Sequence, residues 1–562
     1  MPSSPSPSPS RRAFVAYFGS IGLGSTLLPG VLWAKVAGGA EINKETIAAA
    51  AEIAGLRFGD NDLEMMVTGL RAQERRIRAL HAVPLANAVP PAVQFDPLLP
   101  GTIVETERRP MVRAPVSARA APASIEELAF APVTELSELV RRRKITSTQL
   151  TKMYLERLEK HDPTLKCVVT LTPDRALERA RTADEEIARG KYRGALHGIP
   201  WGVKDLLSVK GYPTTWGTAP FRNQMFDEDA TVVQRLDAAG AVLVAKLTVG
   251  ELAMGDVWFG GMTRNPWMLD QGSSGSSAGS ASATSAGLVG FAIGTETLGS
   301  ISSPSTRCGS TGLRPTYGRV PRTGAMALSW SMDKIGPICR SVEDCALVLD
   351  AIHGADGRDA AARDAAFNWD ARVKPSALRV GYLKSAFDRE RPGKAFDDAA
   401  LEVLRELGAR LTPVELPDMP YDAMRFILVA EAAAAFDDLT RSGRDREMAQ
   451  QGHDAWPNTF RVARFIPAVD YVNANRLRTL AMRAMAKLMS TLDVLVAPTA
   501  GAQLLVTNLT GHPALILPNG FRDDGTPVSL TFLGDLYREA TILALAHAYQ
   551  ERTGFHRKHP VL

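Results

Sequence analysis

Cysteine is scarce in this chain. Four residues, Cys167, Cys308, Cys339 and Cys345, occur among 562, none in a Cys-x-x-Cys pair, which excludes a disulfide-dense scaffold and a paired-thiolate site. No His-Glu-x-x-His is present, and His556-Arg-Lys-His559 near the C-terminus reads as a solvated tail rather than half a metal site, so no metal is expected. Neither Gly-Lys-Ser/Thr nor Gly-x-Gly-x-x-Gly occurs, so the usual phosphate cradles are missing and no cofactor is implied. Charge of one sign is also wanting: the formal net charge is +4. The basic run Arg141-Arg-Arg-Lys144 falls in an amphipathic helical region from about Val133 to His161, where a solvated face is expected, and nucleic acid is not a favoured partner. His512, beside a proline, reads as a turn or packed histidine outside any catalytic set.

Glycine and serine are instead concentrated in one place, Gln271 to Ser300, which reads QGSSGSSAGSASATSAGLVGFAIGTETLGS. Glycines let backbone approach a ligand closely, and serine hydroxyls supply a nucleophile and a proton relay. A flexible linker would have polar flanks, but Ala286 to Ile293 is an apolar run suited to a buried strand or packed helix. Upstream, Gly198-Ile-Pro-Trp-Gly-Val-Lys204-Asp205 sets a lone lysine at the end of another apolar segment, where burial would lower its pKa and make it a usable base.

These segments resemble the amidase signature family of serine hydrolases, from about Ile125 to the C-terminus. His197 to Asp205 is similar to the family's lysine motif, Gly275-Ser-Ser-Ala-Gly-Ser280 to its Gly-Ser-Ser-Gly-Gly-Ser loop, and Gly294-Thr-Glu-Thr-Leu-Gly-Ser-Ile301 to its nucleophile turn. Cys308 to Val320, Ser331-Met-Asp-Lys-Ile-Gly-Pro337 and Asn508-Leu-Thr-Gly-His-Pro513 follow in the family's order. Each segment alone is weak; together they are specific.

The resemblance implies a Ser-Ser-Lys triad: Ser300 as nucleophile, Ser276 as relay and Lys204, neutral at rest, as base. Gly272-Ser-Ser-Gly-Ser-Ser277 offers two overlapping registers, and the family's 24-residue spacing before Ser300 selects Ser276 over Ser273. The family's cis peptide before the relay would be Gly275-Ser276, and its oxyanion hole would be backbone N–H groups of Thr297, Leu298, Gly299 and Ser300. The chain departs from the pattern at Leu298, where a glycine is usual, at Ser302, where an arginine is usual, and at Glu296, where an aspartate is usual. The hydrolase chemistry carries over; substrate assignments from relatives that keep the arginine do not.

Around this core, Ser10-Arg11-Arg12-Ala13-Phe14 and the uncharged stretch to Ala34 resemble a twin-arginine export signal over residues 1–40, with a retained membrane anchor or a cytoplasmic protein as alternatives and Val36-Ala37-Gly38 as a cleavage end. Export to the periplasm is the expectation. Residues 41–123 read as a helical pre-domain, with Thr46 to Ala54 alanine-rich, followed by a Pro/Ala-rich extended arm or linker over the core from Pro84 to Pro122. Residues 124–562 form the hydrolase domain. Strand-like runs at Ala241 to Ala245, Leu378 to Tyr382 and Asp493 to Ala497 alternate with helical patterns, so the fold class is α/β, a mixed central β-sheet covered by helices with an N-terminal helical extension. Phe426 to Arg476 is the candidate pocket lining, with Phe465 and Tyr471 either contacts or ordinary helix-core aromatics.

Two functions follow. The first is an amidase that hydrolyses a small-molecule carboxamide, or an ester, through an acyl-enzyme on Ser300, with no obligatory partner and a homodimer left open. The second is the glutaminase subunit of a tRNA-dependent amidotransferase complex.

Overall fold

The computed structural model describes residues 31–32, 35–36, 39–53, 58–82, 86–91, 93–116, 120, 122–464 and 466–562. Arg11, Arg12 and the rest of the twin-arginine segment up to residue 30 lie outside them. Two helices open the described chain, α1 (Lys44–Ile53) and α2 (Asp60–His81). They share a small apolar cluster of their own built on Ile42, Ile47, Ala50 and Leu63. Beyond them the described residues from 86 to 116 form no helix, in keeping with their proline content.

An eleven-stranded sheet follows: β1 (Val168–Leu171), β2 (Pro200–Lys204), β3 (Val242–Leu247), β4 (Phe291–Glu296), β5 (Thr311–Arg314), β6 (Lys334–Cys339), β7 (Arg379–Leu383), β8 (Arg410–Val414), β9 (Val494–Pro498), β10 (Ala514–Phe521) and β11 (Pro527–Gly534). The spatial order is β1-β3-β2-β4-β6-β5-β10-β11-β9-β7-β8. β2 runs parallel to β3 and β4, and β7 parallel to β8 and β9, with the other pairings antiparallel. β2, β3 and β4 are buried along their whole length, which is why their sequences, apart from Lys204, Lys246, Thr295 and Glu296, are apolar and do not alternate. The mixed sheet under helices is the expected class, and the three strand-like runs became β3, β7 and β9 within one or two residues.

The region Val133 to His161 differs from expectation. It is two helices, Val133–Arg141 and Ser147–Leu165, broken where Arg143 adopts a φ of 55°. The basic run is the turn between them, with Arg141 and Arg142 both paired to Glu138. Apolar periodicity resumes in phase after the break, so the sequence pattern alone reads through it.

Glycine decides how closely the site-bearing strands pack. A Cβ on Gly202, in the middle of β2, would sit 2.4 Å from Leu247 Cδ1 on β3. Register pairs Trp201 with Phe291 and Val203 with Ile293, so β2 and β4 end side by side, with Lys204 closing one and Thr295 and Glu296 closing the other. Ligands of open α/β sheets lie outside such carboxyl ends. Helices α3 (Ala278–Ser285) and α4 (Ser302–Cys308) leave directly from the Ser276 and Ser300 turns.

Candidate active site

Lys204 is fully buried, and its Nζ has only neutral oxygens around it: Ser276 Oγ and Thr295 Oγ1 at 2.8 Å, Ser277 Oγ at 3.0 Å and the Thr295 carbonyl at 3.4 Å. Burial pushes its pKa well below the ordinary lysine value, and the fields of Asp333 and Glu296 only partly oppose this. Asp205 does not serve as its counter-ion. That carboxylate pairs with Lys246 at 2.8 Å and accepts the Thr215 N–H at 2.9 Å.

Ser276 follows a cis Gly275–Ser276 peptide. Its neighbour Ser277 donates its N–H to the Ser300 carbonyl at 3.1 Å, and its hydroxyl donates to the Thr295 carbonyl at 3.0 Å, tying the loop to β4 and to the Ser300 turn. A Cβ on Gly294 would meet Ser277 Oγ at 2.8 Å, so glycine is required where loop and strand touch. Ser273, the other register, donates its hydroxyl to the Ser274 carbonyl at 2.9 Å. Lys204 and Ser276 have no exposure, while Ser300 has 7 %, so of the three residues Ser300 is the one a solute can reach.

The Ser300 turn is held from beneath by Glu296. Its Oε2 accepts from the Ile301 N–H at 2.9 Å and from the Ser302 N–H and hydroxyl at 2.8 Å each, while Oε1 accepts from Arg314 Nη1 at 2.8 Å and Asn508 Nδ2 at 2.9 Å. Burial works to raise this carboxyl, but the Arg314 charge, with hydrogen bonds from Arg314 and Asn508, holds it down at about 2. Ser302, where the family arginine is missing, thus binds the glutamate that replaces the aspartate.

Gly299 has φ +92°, which glycine adopts freely. Among the described residues, no acceptor is paired with the N–H of Leu298, Gly299 or Ser300. These are the groups an oxyanion hole requires. The Leu298 side chain turns away to pack against a cluster that includes Ile427, Leu505 and Leu509. The Thr297 hydroxyl donates to Asp333 Oδ1 at 2.6 Å, which also orders the Leu328–Ser329 turn through Asp333 Oδ2.

A cavity of about 890 Å³ comes up to this place at Thr295 and Thr297, without Lys204, Ser276 or Ser300 in its lining. Thr295, Thr297, Asp333 and Lys334 form its inner end, and Trp216, Phe226 and Phe436 an aromatic side. Tyr471 lines it and donates to Glu431 Oε1 at 3.0 Å; Phe426 is exposed and outside the lining, and Phe465 lies outside the described residues. His512 is buried, held near 3 by burial and by Arg314, and bonded to Thr510 at 2.8 Å, away from Lys204 and Ser276. Sequence reasoning passed over Ser277 and Thr295 as partners of Lys204, although both sit inside the quoted motifs. It also gave no signal that arm residues such as Asn87, Pro90, Pro91 and Phe95 line the cavity. Among the described residues no group of histidine, cysteine and acidic side chains is placed to hold a metal.

A family model described as Amidase matches residues 149–504. The chain belongs to the amidase signature family. The glutamyl-tRNA(Gln) amidotransferase A-subunit of Moorella thermoacetica is 36% identical over 485 residues, covering 78% of this chain and 99% of that protein. Its namesake from Acinetobacter baumannii (strain AYE) is 35% identical over 477 residues, 76% of this chain and 96% of its own. Among solved structures, the native peptide amidase from Stenotrophomonas maltophilia is 33% identical with a TM-score of 0.69, covering 76% of this chain and 98% of that one. The amidase signature relatives thus include both a peptide amidase and an amidotransferase subunit.

Proposed function

We propose that this amidase signature protein is a free-standing hydrolase that converts a carboxamide to carboxylate and ammonia or amine through an acyl-enzyme on Ser300. The observation that carries the reading is a buried lysine with no carboxylate partner, 2.8 Å from Ser276 Oγ. A neutral Lys204 accepts the Ser276 proton while Ser276 accepts the Ser300 proton, and Ser300 Oγ attacks the carbonyl carbon. The oxygen that becomes negative is met by the N–H groups of the Thr297 to Ser300 turn. The proton then passes back to the leaving nitrogen as the C–N bond breaks, and water, deprotonated by the same relay, releases the carboxylate. The cavity volume is within the range of small-ligand sites, about 300–1,000 Å³, and its aromatic side suits an arylated or peptidyl acyl group.

The relatives named as amidotransferase subunits favour the second reading, a glutaminase subunit in a complex. The peptide amidase likeness, the absence of the usual arginine at Ser302 and the twin arginines Arg11-Arg12 favour the first, with the protein exported to the periplasm. The test is labelling by a serine-directed fluorophosphonate with peptide mapping, on wild type and Ser300→Ala, beside ammonia release from a carboxamide panel. Label on Ser300 that is lost in the variant, with turnover by the purified single chain, is expected. Well-folded protein that labels at Ser300 but turns over no amide without added subunits would favour the complex.

A further inference from the structure

The arm preceding the hydrolase domain lies outside the span matched by the family model, residues 149–504, yet Asn87, Pro90, Pro91, Val93 and Phe95 contribute to the wall of the same cavity that Thr295 and Thr297 line. It is fastened there by specific contacts. Asn87 exchanges two hydrogen bonds with the backbone of Ala327, Nδ2 donating to the carbonyl at 2.8 Å and Oδ1 accepting the N–H at 2.7 Å. The Phe95 ring meets Tyr317 edge-on at 5.1 Å and covers the Arg478 guanidinium, whose central carbon is 3.4 Å from the ring centroid. Arg478 is itself fixed by bonds to the Ser331 hydroxyl at 2.9 Å and carbonyl at 2.8 Å. Pro97 is buried beside Gly511, where a Cβ would come within 2.8 Å of Pro97 Cβ and 3.6 Å of Phe95 Cε1. The arm therefore rests on Tyr317, Ala327 and Gly511, and Tyr317, Ala327 and Leu328 line the same cavity as Thr295 and Thr297.

We infer that the arm is part of the substrate site and that Phe95 is a specificity-determining residue, supplying an aromatic face for the far end of an elongated, uncharged aryl or peptidyl acyl group. The inference rests on the Ser300 reading. Thr297 of the turn and Asn87 and Phe95 of the arm line one cavity, so an acyl group long enough to span it from the turn would meet Phe95, and one that does not leave the turn would not. Aromatic–aromatic contact adds up to about 1.5 kcal/mol beyond area, which is about tenfold in rate or affinity.

The test uses the full chain and two fluorophosphonate probes, one with an ethyl group and one with a biphenylalkyl group, with second-order labelling rates at Ser300 followed by intact mass. In Phe95→Ala the ratio of long-probe to short-probe rates is expected to fall about tenfold, with partial recovery in Phe95→Tyr and a smaller fall in Asn87→Ala. A purely structural role would slow both probes together, with a lower melting temperature and an unchanged ratio, and that result overturns the proposal. So does a long-probe rate that is unchanged or raised. Wild-type protein that labels at neither rate, or at another residue, would overturn the Ser300 reading and this one with it; a labelled Ser300 with an insensitive ratio would remove this one alone.

Discussion

Asp205 is paired with Lys246, not with the lysine next to it in sequence: Lys246 Nζ lies 2.8 Å from Asp205 Oδ1, both side chains fully buried. The pairing leaves Lys204 buried among neutral oxygens, so the form that burial favours is the free amine. Activity is therefore expected to rise with pH as Lys204 loses its proton and to reach its plateau well below about 10.4, the ordinary lysine value. A kcat/KM profile with amide and ester substrates checks this; a limb at or above the ordinary value would mean that Lys204 is not the base. The stability consequence has a definite sign. Between the lowered native pKa and the ordinary value the unfolded chain binds one more proton, so this group's contribution to stability rises with pH across that window. Lys204→Met is accordingly expected to be inactive yet no less stable than wild type at neutral pH, measured by urea unfolding.

The two serine registers predict different phenotypes. Ser276 contacts Lys204, whereas the Ser273 hydroxyl is spent on the neighbouring Ser274 carbonyl. Ser276→Ala is expected to slow acylation of Ser300 by about 10²–10⁴, the usual worth of a proton-transfer group, and Ser273→Ala by no more than a few-fold. Single-turnover acylation rates decide it. The opposite order would return the relay to Ser273.

Ser276 could be selected from sequence because motif spacing relative to Ser300 fixes its register. The partners of Lys204 could not be ranked in the same way. Ser277 and Thr295 sit in the same motifs, but only the parallel pairing of β2 with β4 brings Thr295 to Lys204, and strand order is not written in local periodicity. Strands β3 and β9 were legible because fully buried strands are near-continuous apolar runs, and β7, Arg-Val-Gly-Tyr-Leu, by its short apolar and aromatic run although it is only partly buried. The break at Arg143 was hidden because an arginine at positive φ carries no compositional mark. The arm's destination was hidden for a related reason: a Pro/Ala-rich stretch has no period, and its docking depends on single contacts such as Phe95 with Arg478.

Glu296 couples the nucleophile turn to Arg314 in a fully buried pair. Replacing it by glutamine leaves Arg314 without its counter-charge and offers one fewer acceptor oxygen to Ile301 and Ser302. Glu296→Gln is expected to cost about 3–5 kcal/mol in urea unfolding at neutral pH, together with activity. Because the native carboxyl is held at about 2, against an ordinary value of 4.5, the stabilisation is complete above the ordinary value and is lost as pH falls toward the native one. The difference between wild type and variant should narrow over that acid window. A constant difference would mean that packing, and not charge, holds the turn.

Leu298 and Gly299 separate stability from catalysis within one turn. The Leu298 side chain packs against Leu505 and Leu509 and takes no part in the cavity lining, while its N–H has no internal acceptor among the described residues. Leu298→Ala removes packing and keeps the N–H, so a loss of about 2 kcal/mol, the low end for a leucine because the side chain is only half-buried, is expected with kcat/KM within a few-fold of wild type. At Gly299 the φ of +92° is strained for any other residue, and an added Cβ would stand 3.1 Å from Ser303 Oγ. Gly299→Ala is expected to displace the turn's N–H groups and lower kcat by about 10²–10³, the worth of one oxyanion donor, whatever it does to stability. Parallel urea unfolding and amide kinetics on the two variants test the division. Loss of kcat in Leu298→Ala at unchanged stability would instead mean that the leucine side chain contacts substrate.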